Sequence, residues 1–405
     1  MGRDAPANAS GEPVSESLLY LDHNATTPVD PRVIEAMLPF FGSYFGNAAS
    51  RQHAAGRWAA KAVEEAREEV AQILGADTRE IVWTSGATES NNLAIRGVAR
   101  AAAYANKRHI ITVATEHHAV LDPVRTLEEE GFAVSVLGVD GQGHLDLAKL
   151  AASIREDTLL VSVMHANNES GLLHPVSEIG GLCRERGVLF HTDATQSFGK
   201  ELIDVEAMSI DLLSLSAHKF YGPKGAGALY VRRRGPRVRC RALFDGGGHE
   251  RGMRSGTLNV PGIVGLARAA GLAAASMDAE RTRLGKLRDR FEGDLANRLG
   301  GVLRNGGPER LAGTANLAFE DVEAESLLGR MPTIAASSSS ACTSASIQPS
   351  HVLGAMGFDE NRIAGSVRFS LGRGTGAVEI DRAVGCIATA VEAERTEGPR
   401  SACAR

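Results

Sequence analysis

The stretch VLFHTDATQS, residues 188–197, decides how the fold is read. A β-rich apolar run ends in a carboxylate, Asp193, and passes at once into small hydroxyl and amide residues. Such a run predicts a strand leaving the core at its carboxyl end. The same texture recurs on both sides of it. EIVWTS (80–85), HIITVA (109–114), FAVSVLGV (132–139), TLLVSVMH (158–165), DLLSLSA (211–217) and GALYVR (227–232) are further β-rich runs. Helical segments separate most of them, among them AGRWAAKAVEEAREEVAQIL (55–74) and ESNNLAIRGVARAAAYA (89–105). This alternation predicts an α/β fold built on a mostly parallel, doubly wound sheet. From about residue 272 the texture shifts to a long charged helix and then a smaller α/β unit, so a boundary is expected near 271.

The bulk numbers narrow the classes. The chain has 405 residues, 43% hydrophobic and 23% charged, with a formal net charge of −5. That is the composition of an ordinary globular protein, without the basic excess of a nucleic-acid or membrane-surface binder. One basic run, RRRGPRVRCR (232–241), lacks interleaved aromatics and reads as a solvated loop before it reads as a nucleic-acid contact. The five cysteines, Cys183, Cys240, Cys342, Cys386 and Cys403, are scattered and form no CxxC pair, so neither a disulfide framework nor a metal site is indicated. Residues 1–17 and those after 394 have the polar composition of flexible tails. The amino end lacks an apolar signal-like core, and the cytoplasm is the expected location.

Ligands of such sheets bind beyond the carboxyl ends of the strands. Four polar groups fall there. TSGATES (84–90) joins a strand to a helix, where free N–H groups suit a phosphate; Gly86 permits close approach and Thr88 adds a hydroxyl. An ordinary N-cap with a capping glutamate explains the same letters. Asp193 is desolvated and needs a cationic partner, either a structural Arg or Lys or a protonated ring nitrogen. In SLSAHKFYGPKG (214–225), Lys219 is flanked by Ser216 and His218. It is either a solvated loop lysine or a desolvated amine fit for a Schiff base. His117, in TEHHAV (115–120), suits a residue that stacks on a planar ring and moves protons, with His118 as a competitor. An aspartate, a lysine and a phosphate-binding helix at neighbouring strand ends together point to pyridoxal phosphate.

The motifs then extend the match. YLDHNATTPVDP, FGNAAS, TSGATESNNLAI, TEHHAVLDP, HANNESG, HTDATQS, SAHKFYGPKGAGALYVR, GGGHERGMRSGT, SSSSACTSAS and VRFSLGR occur in that order between about 19 and 390. In this the chain resembles the NifS/IscS-type cysteine desulfurases, pyridoxal-phosphate enzymes of fold type I. The resemblance implies a large domain (29–271) with a seven-stranded, mostly parallel sheet. It implies a small domain formed by 18–28 and 272–405, with a catalytic loop at 337–346. It makes Lys219 the Schiff-base lysine and Asp193 the partner of the pyridine nitrogen. Gln196 and Asn168 are then expected at the ring phenolate. Ala87, Thr88, Ser216 and His218 are expected at the phosphate, with Thr257 reaching it from the second subunit of a homodimer. His117 is the expected acid–base residue. Arg368, helped by Asn47, would clamp the substrate carboxylate. Cys342 would take the sulfur of L-cysteine, leave L-alanine, and carry a persulfide to an acceptor protein, an iron–sulfur scaffold or another carrier. A nucleophile that also delivers its cargo needs a movable tether, which explains a thiol in a run of small hydroxyl residues. Ser339 stands where the family pattern has glycine, and His23 has no assigned role. Selenocysteine lysis, another class V reaction, and an inactive docking platform are the alternatives; the platform would lack the full set of Lys219, Asp193, His117, Arg368 and Cys342.

Overall fold

The structure is a computed structural model and describes residues 18–338, 341–343 and 346–398. The expected tail at 1–17, the carboxyl-terminal residues 399–405 and Ser339 lie outside the described residues. The strands, in chain order, are β1 (Leu19–Tyr20), β2 (Ile81–Thr84), β3 (His109–Val113), β4 (Ala133–Leu137), β5 (Thr158–Ser162), β6 (Leu189–Asp193), β7 (Leu212–Ser216), β8 (Gly227–Val231), β9 (Val302–Arg304), β10 (Thr314–Phe319), β11 (Ile334–Ala335), β12 (Ser337–Ser338), β13 (Ala341–Thr343), β14 (Ser346–Gln348) and β15 (Ser366–Ser370).

Seven of them form the main sheet in the order β2-β8-β7-β6-β5-β3-β4. β3, β4, β5, β6 and β7 pair in parallel, and β8 runs antiparallel between β7 and β2. All seven runs read from the sequence are strands of this sheet. Their side chains alternate between two cores. Ile81, Trp83, Ile111, Phe190, Leu213 and Leu215 pack with helices Ala54–Leu74 and Val176–Glu185 on one face. Val82, Ile110, Leu160, Leu189 and Leu212 pack with helices Ala87–Ala99 and His118–Glu129 on the other. With helices on both faces, the polar ends of β2, β5, β6 and β7 (Thr84, Ser162, Asp193 and Ser216) are left at one rim of the sheet.

The second unit is an antiparallel sheet of order β12-β15-β10-β9. Its core joins Phe319, Val367 and Phe369 to Leu295 and Ile387, and draws Leu19 and Leu21 from the start of the chain. β1 pairs with β11 in a two-stranded ladder of its own. The long helix is longer than the charged stretch suggests. It spans Val260–Arg298 without a break, so residue 271 falls inside it. Its start, Val260 to Ala273, belongs to the core of the large sheet, whereas Phe291 and Leu295 belong to the second core. One window of this helix is long and apolar enough to cross a bilayer by composition alone, but half of that window is buried in the protein. The last helix, Ala377–Glu397, continues three residues past the expected start of the flexible tail. Arg330 holds it there, bonding Glu394 at 2.5 Å and Glu397 at 2.9 Å.

Candidate active site

A cleft of about 670 Å³ opens at the carboxyl ends of β2, β3, β5, β6 and β7. Ten residues expected from the sequence line it: Ala87, Thr88, His117, Asn168, Asp193, Gln196, Ser216, His218, Lys219 and Arg368.

The sheet supplies the floor. Asp193 is the last residue of β6 and is almost wholly buried. Its carboxylate is held at both oxygens, by Asn91 Nδ2 at 2.7 Å and by the Thr195 N–H at 2.9 Å. Neither partner is a cation, so one of the two readings of Asp193, a structural Arg or Lys partner, does not apply. The carboxylate points its charge at the cleft instead. Lys219 follows β7 through one helical turn. Its Nζ donates to the carbonyls of Asn24 (2.6 Å) and Ala25 (2.8 Å). Burial, and then the nearby Arg368, bring its pKa from 10.5 down to about 8. A lysine so placed is neutral far more often than one in water.

One wall is a helix start. Helix Ala87–Ala99 has Gly86 at its N-cap and no side-chain cap. Ala87 and Thr88 line the cleft, so first-turn N–H groups border it. Glycine is required twice here. A Cβ on Gly227 would lie 2.5 Å from the Gly86 Cα, and Gly86 itself holds φ 153°, a backbone conformation that L side chains rarely adopt. The capping glutamate of the simpler reading is present as well: Glu89 accepts from the Ser85 N–H at 2.7 Å and pairs with Arg254 at 2.9 Å. It binds the loop before the helix and leaves the cleft side open. Ser216 ends β7, and His218 Nδ1 lies 3.1 Å from Thr26 Oγ1. Burial, with Lys219 and Lys224 nearby, lowers the His218 pKa to about 4, so the ring is neutral.

Opposite stands Arg368, in the middle of β15. Its Nη1 donates to the Asn168 carbonyl (3.0 Å), and its Nη2 to Asp22 (2.7 Å) and Ser337 Oγ (2.9 Å). Among the described residues the buried Nε–H has no hydrogen-bond partner. A guanidinium with one free, desolvated donor beside a cleft is suited to an anion such as a carboxylate. His117 N-caps helix His118–Glu129 by accepting the Ala119 N–H at Nδ1 (3.0 Å), which leaves Nε2 as the other ring nitrogen. Desolvation lowers its pKa, Asp193 opposes that shift and Lys219 adds to it. His118 takes a different place, exposed, 3.5 Å from Asp122 and with its ring 4.8 Å from that of His351.

Two expected residues do not line the cleft of this chain. Asn47 is exposed and its Oδ1 accepts the Ala49 N–H at 2.9 Å. Thr257 is exposed just before helix Val260–Arg298. Cys342 lies on β13, opposite Ile347 of β14, and only this backbone register is described. The ends of its segment are tied to the cleft. Ser337 pairs with Arg368 in the sheet and touches its guanidinium. Ser350 Oγ bonds Glu169 at 2.6 Å, and His351 Nε2 bonds the carbonyl of Glu116, next to His117, at 2.9 Å.

Sequence reasoning missed several groups. Asn91 lies within a quoted motif, and its i+4 spacing from Ala87 was the available signal. Asn24 acts through its carbonyl, which no side-chain pattern reveals. Asp22 becomes visible only once β15 brings Arg368 to it. His23 turns out to be a packing residue: its ring meets Tyr20 edge-on at 5.0 Å, and any Cβ on Gly372 would lie 2.4 Å from it. In the basic run, Arg232 is not solvated but buried, 3.1 Å from Asp211.

The donor set fits pyridoxal phosphate. The cleft combines a helix start for the phosphate, a tethered buried carboxylate for a ring N–H, and a lysine of lowered pKa. Polar atoms of lining residues also await partners: Arg368 Nε, Asn91 Oδ1 and Thr195 Oγ1 are buried and unbonded within the described residues.

The family model of aminotransferase class V matches residues 19–383. The cysteine desulfurase IscS of Anaeromyxobacter dehalogenans (strain 2CP-C) is 56% identical over 367 residues, covering 90% of each chain. A solved NifS-like protein superposes with a TM-score of 0.86 at 38% identity, covering 93% of this chain and 99% of its own. SspA, solved in complex with cysteine, gives a TM-score of 0.77 at 39% identity, over 87% of this chain and 98% of its own. The chain therefore belongs to the class V aminotransferase family, and within it is a pyridoxal-phosphate-dependent cysteine desulfurase, acting on L-cysteine and passing its sulfur to acceptors.

Proposed function

We propose that the residues of the cleft divide this reaction among themselves as follows. Pyridoxal phosphate supplies the electron sink that lets first the Cα–H and then the Cβ–S bond of L-cysteine break. The first turn of helix Ala87–Ala99, with Thr88, Ser216 and His218, holds its phosphate. Asp193, fixed by Asn91 and the Thr195 N–H, keeps a proton on its ring nitrogen. Gln196 and Asn168 serve the ring oxygen. Lys219 would hold it through Nζ and would take the Cα proton of the substrate; its lowered pKa makes the neutral amine available near neutral pH. Arg368 receives the substrate carboxylate on its free Nε–H. His117 exchanges protons with the sulfur-bearing groups.

Cys342 Sγ, as thiolate, then attacks the substrate sulfur. The S–S bond forms, the Cβ–S bond breaks, and its electrons stay on Cβ, which is protonated to give L-alanine. Cys342 is the fifth residue after Ser337, a reach of at most about 17 Å for an extended chain. The residues that flank it are moored at Arg368 on one side and at Glu116 and Glu169 on the other, which supports the reading that its thiol serves both the substrate and an acceptor. The observation that carries this assignment is the convergence of Lys219, Asp193, an open helix start and an unpartnered Arg368 Nε–H on one cleft.

The same reading divides the chain into a large domain, 29–271, and a small one, 18–28 with 272–405. It makes the enzyme a homodimer. Leu38, Phe41, Phe45 and Trp58 stand exposed on one segment, Phe45 at 76%, with Asn47 among them. A second copy is the occupant that also gives Thr257 its role. We place the enzyme in the cytoplasm, where a persulfide-forming thiol stays reduced, and name an iron–sulfur scaffold or another sulfur carrier as acceptor. The test is alanine and sulfide release from L-cysteine with a reductant present. Equal amounts from wild type, and almost none from a yellow Cys342→Ala protein, support the assignment. Full activity of Cys342→Ala removes that thiol from the chemistry.

A further inference from the structure

The turn after β6 brings a second lysine towards the cleft from behind. Gly199, at φ 76°, reverses the chain, and a Cβ there would lie 2.9 Å from that of Ala273. Lys200 Nζ then comes to 3.3 Å from Gln196 Oε1. Gln196 lines the cleft, whereas Lys200 lines a separate cavity of about 50 Å³ on the far side of Asn24 and Lys219. The other end of the Gln196 amide, Nε2, donates to the Asn24 carbonyl at 2.8 Å.

The two partners leave the amide one orientation. An ammonium or amine next to Oε1 is a donor, and a backbone carbonyl next to Nε2 is an acceptor. Rotating the amide by half a turn would set oxygen against oxygen at Asn24 and, with Lys200 as the ammonium, N–H against N–H. In the orientation held, Nε2 has spent one hydrogen on Asn24 and has its second for the cleft. We propose that Lys200 is a positioning residue that locks Gln196 with an N–H, not a carbonyl, towards the ring oxygen of the cofactor. Resting on the role given to Gln196 above, this adds a residue that never touches the cofactor.

The surroundings agree. Among the described residues Lys200 makes no ion pair: its neighbour Glu201 is taken by Arg281 at 3.3 Å. Glu280, Arg373 and His23 border the same cavity. Desolvation, then Lys219 and Arg368, lower the Lys200 pKa to about 7, with Glu201 opposing. Among the described residues the Gln196 carbonyl is its one side-chain acceptor; a lysine can donate to it in either charge state, and as the ammonium can do nothing else.

The experiment uses the full-length holoenzyme and the pH midpoint of the cofactor's visible absorption. That midpoint reports loss of the proton on the nitrogen through which Lys219 holds the cofactor. A hydrogen bond donated to the neighbouring ring oxygen competes for that oxygen and lowers the midpoint. Lys200→Met is expected to raise it by about half to one pH unit, the size of one hydrogen bond. Lys200→Arg should restore it. Gln196→Ala should raise it as well, and Lys200→Met added to Gln196→Ala should change nothing further. Lys200→Gln, polar but too short to reach Gln196, is the second variant and should behave as Lys200→Met; thermal unfolding of each checks that it is folded. A wild-type midpoint in folded Lys200→Met or Lys200→Gln overturns the proposal, and so does a shift that adds fully to that of Gln196→Ala, which would mark a through-space charge effect. No shift in Gln196→Ala itself overturns the role of Gln196 and this proposal together.

Discussion

The floor and the rim of the cleft are built on opposite plans. On the floor every reactive group is tied twice. Asp193 is gripped by Asn91 and the Thr195 N–H, Lys219 by two carbonyls, and Gln196 by Asn24 and Lys200. At the rim, the segment that carries Cys342 is moored at its ends, by Ser337 on Arg368 and by Ser350 and His351 on Glu169 and Glu116. The difference follows the chemistry. A cofactor ring must be held to a fraction of an ångström, because its electronics depend on which atoms carry protons. A sulfur carrier must meet two partners in turn, and fixing it would serve only one of them.

That contrast is broken most easily on the floor. Lys219→Ala should lose the visible absorption and at least about 10⁴-fold in turnover, since binding of the cofactor and the Cα proton transfer both go; retained absorption would move the covalent link elsewhere. Arg368 belongs to both regions, and Arg368→Lys should raise KM for L-cysteine by about 10- to 100-fold, the loss of a charge-assisted hydrogen bond, with a smaller change in kcat. Steady-state kinetics decide, and an unchanged KM would take the carboxylate away from Arg368. The pH dependence sharpens the floor further. On the role proposed for Lys219, capture of pyridoxal phosphate by apoenzyme needs its neutral amine. With the pKa lowered to about 8, the rate should climb with pH and level off above about 8, not near the 10.5 of a free lysine. Stopped-flow absorbance measures this midpoint. At the rim the effects shrink. Ser337→Ala removes one bond to Arg368, about 1 kcal/mol. It should cost a few-fold in KM, leaving the absorption spectrum as it is.

The floor was also the part legible in the sequence. Each of its strands is a β-rich run, all seven strands of the main sheet could be read in this way, and β6 ends in the polar Asp193 within VLFHTDATQS. The short ladders were not legible. β1 and β11 have two residues each, too few for any periodicity, and their pairing depends on partners more than 300 residues apart. The long helix was found only by its charged half, because VPGIVGLARAAGL at its start is apolar except for Arg268 and packs into the large core. In the site, side-chain chemistry announced Asp193, Lys219 and His117 and the family resemblance Arg368, whereas the Asn24 carbonyl, the Asp22 partner of Arg368 and Lys200 behind Gln196 needed the fold to bring them in.

The central claim is that sulfur leaves L-cysteine by transfer to the Cys342 thiol. The most direct measurement is the mass of the Cys342-containing peptide after one turnover with L-cysteine, without reductant. The account predicts one added sulfur atom on that peptide, matched by one alanine per active site and removed by a thiol. Alanine formed in the same amount with Cys342 unmodified would contradict it.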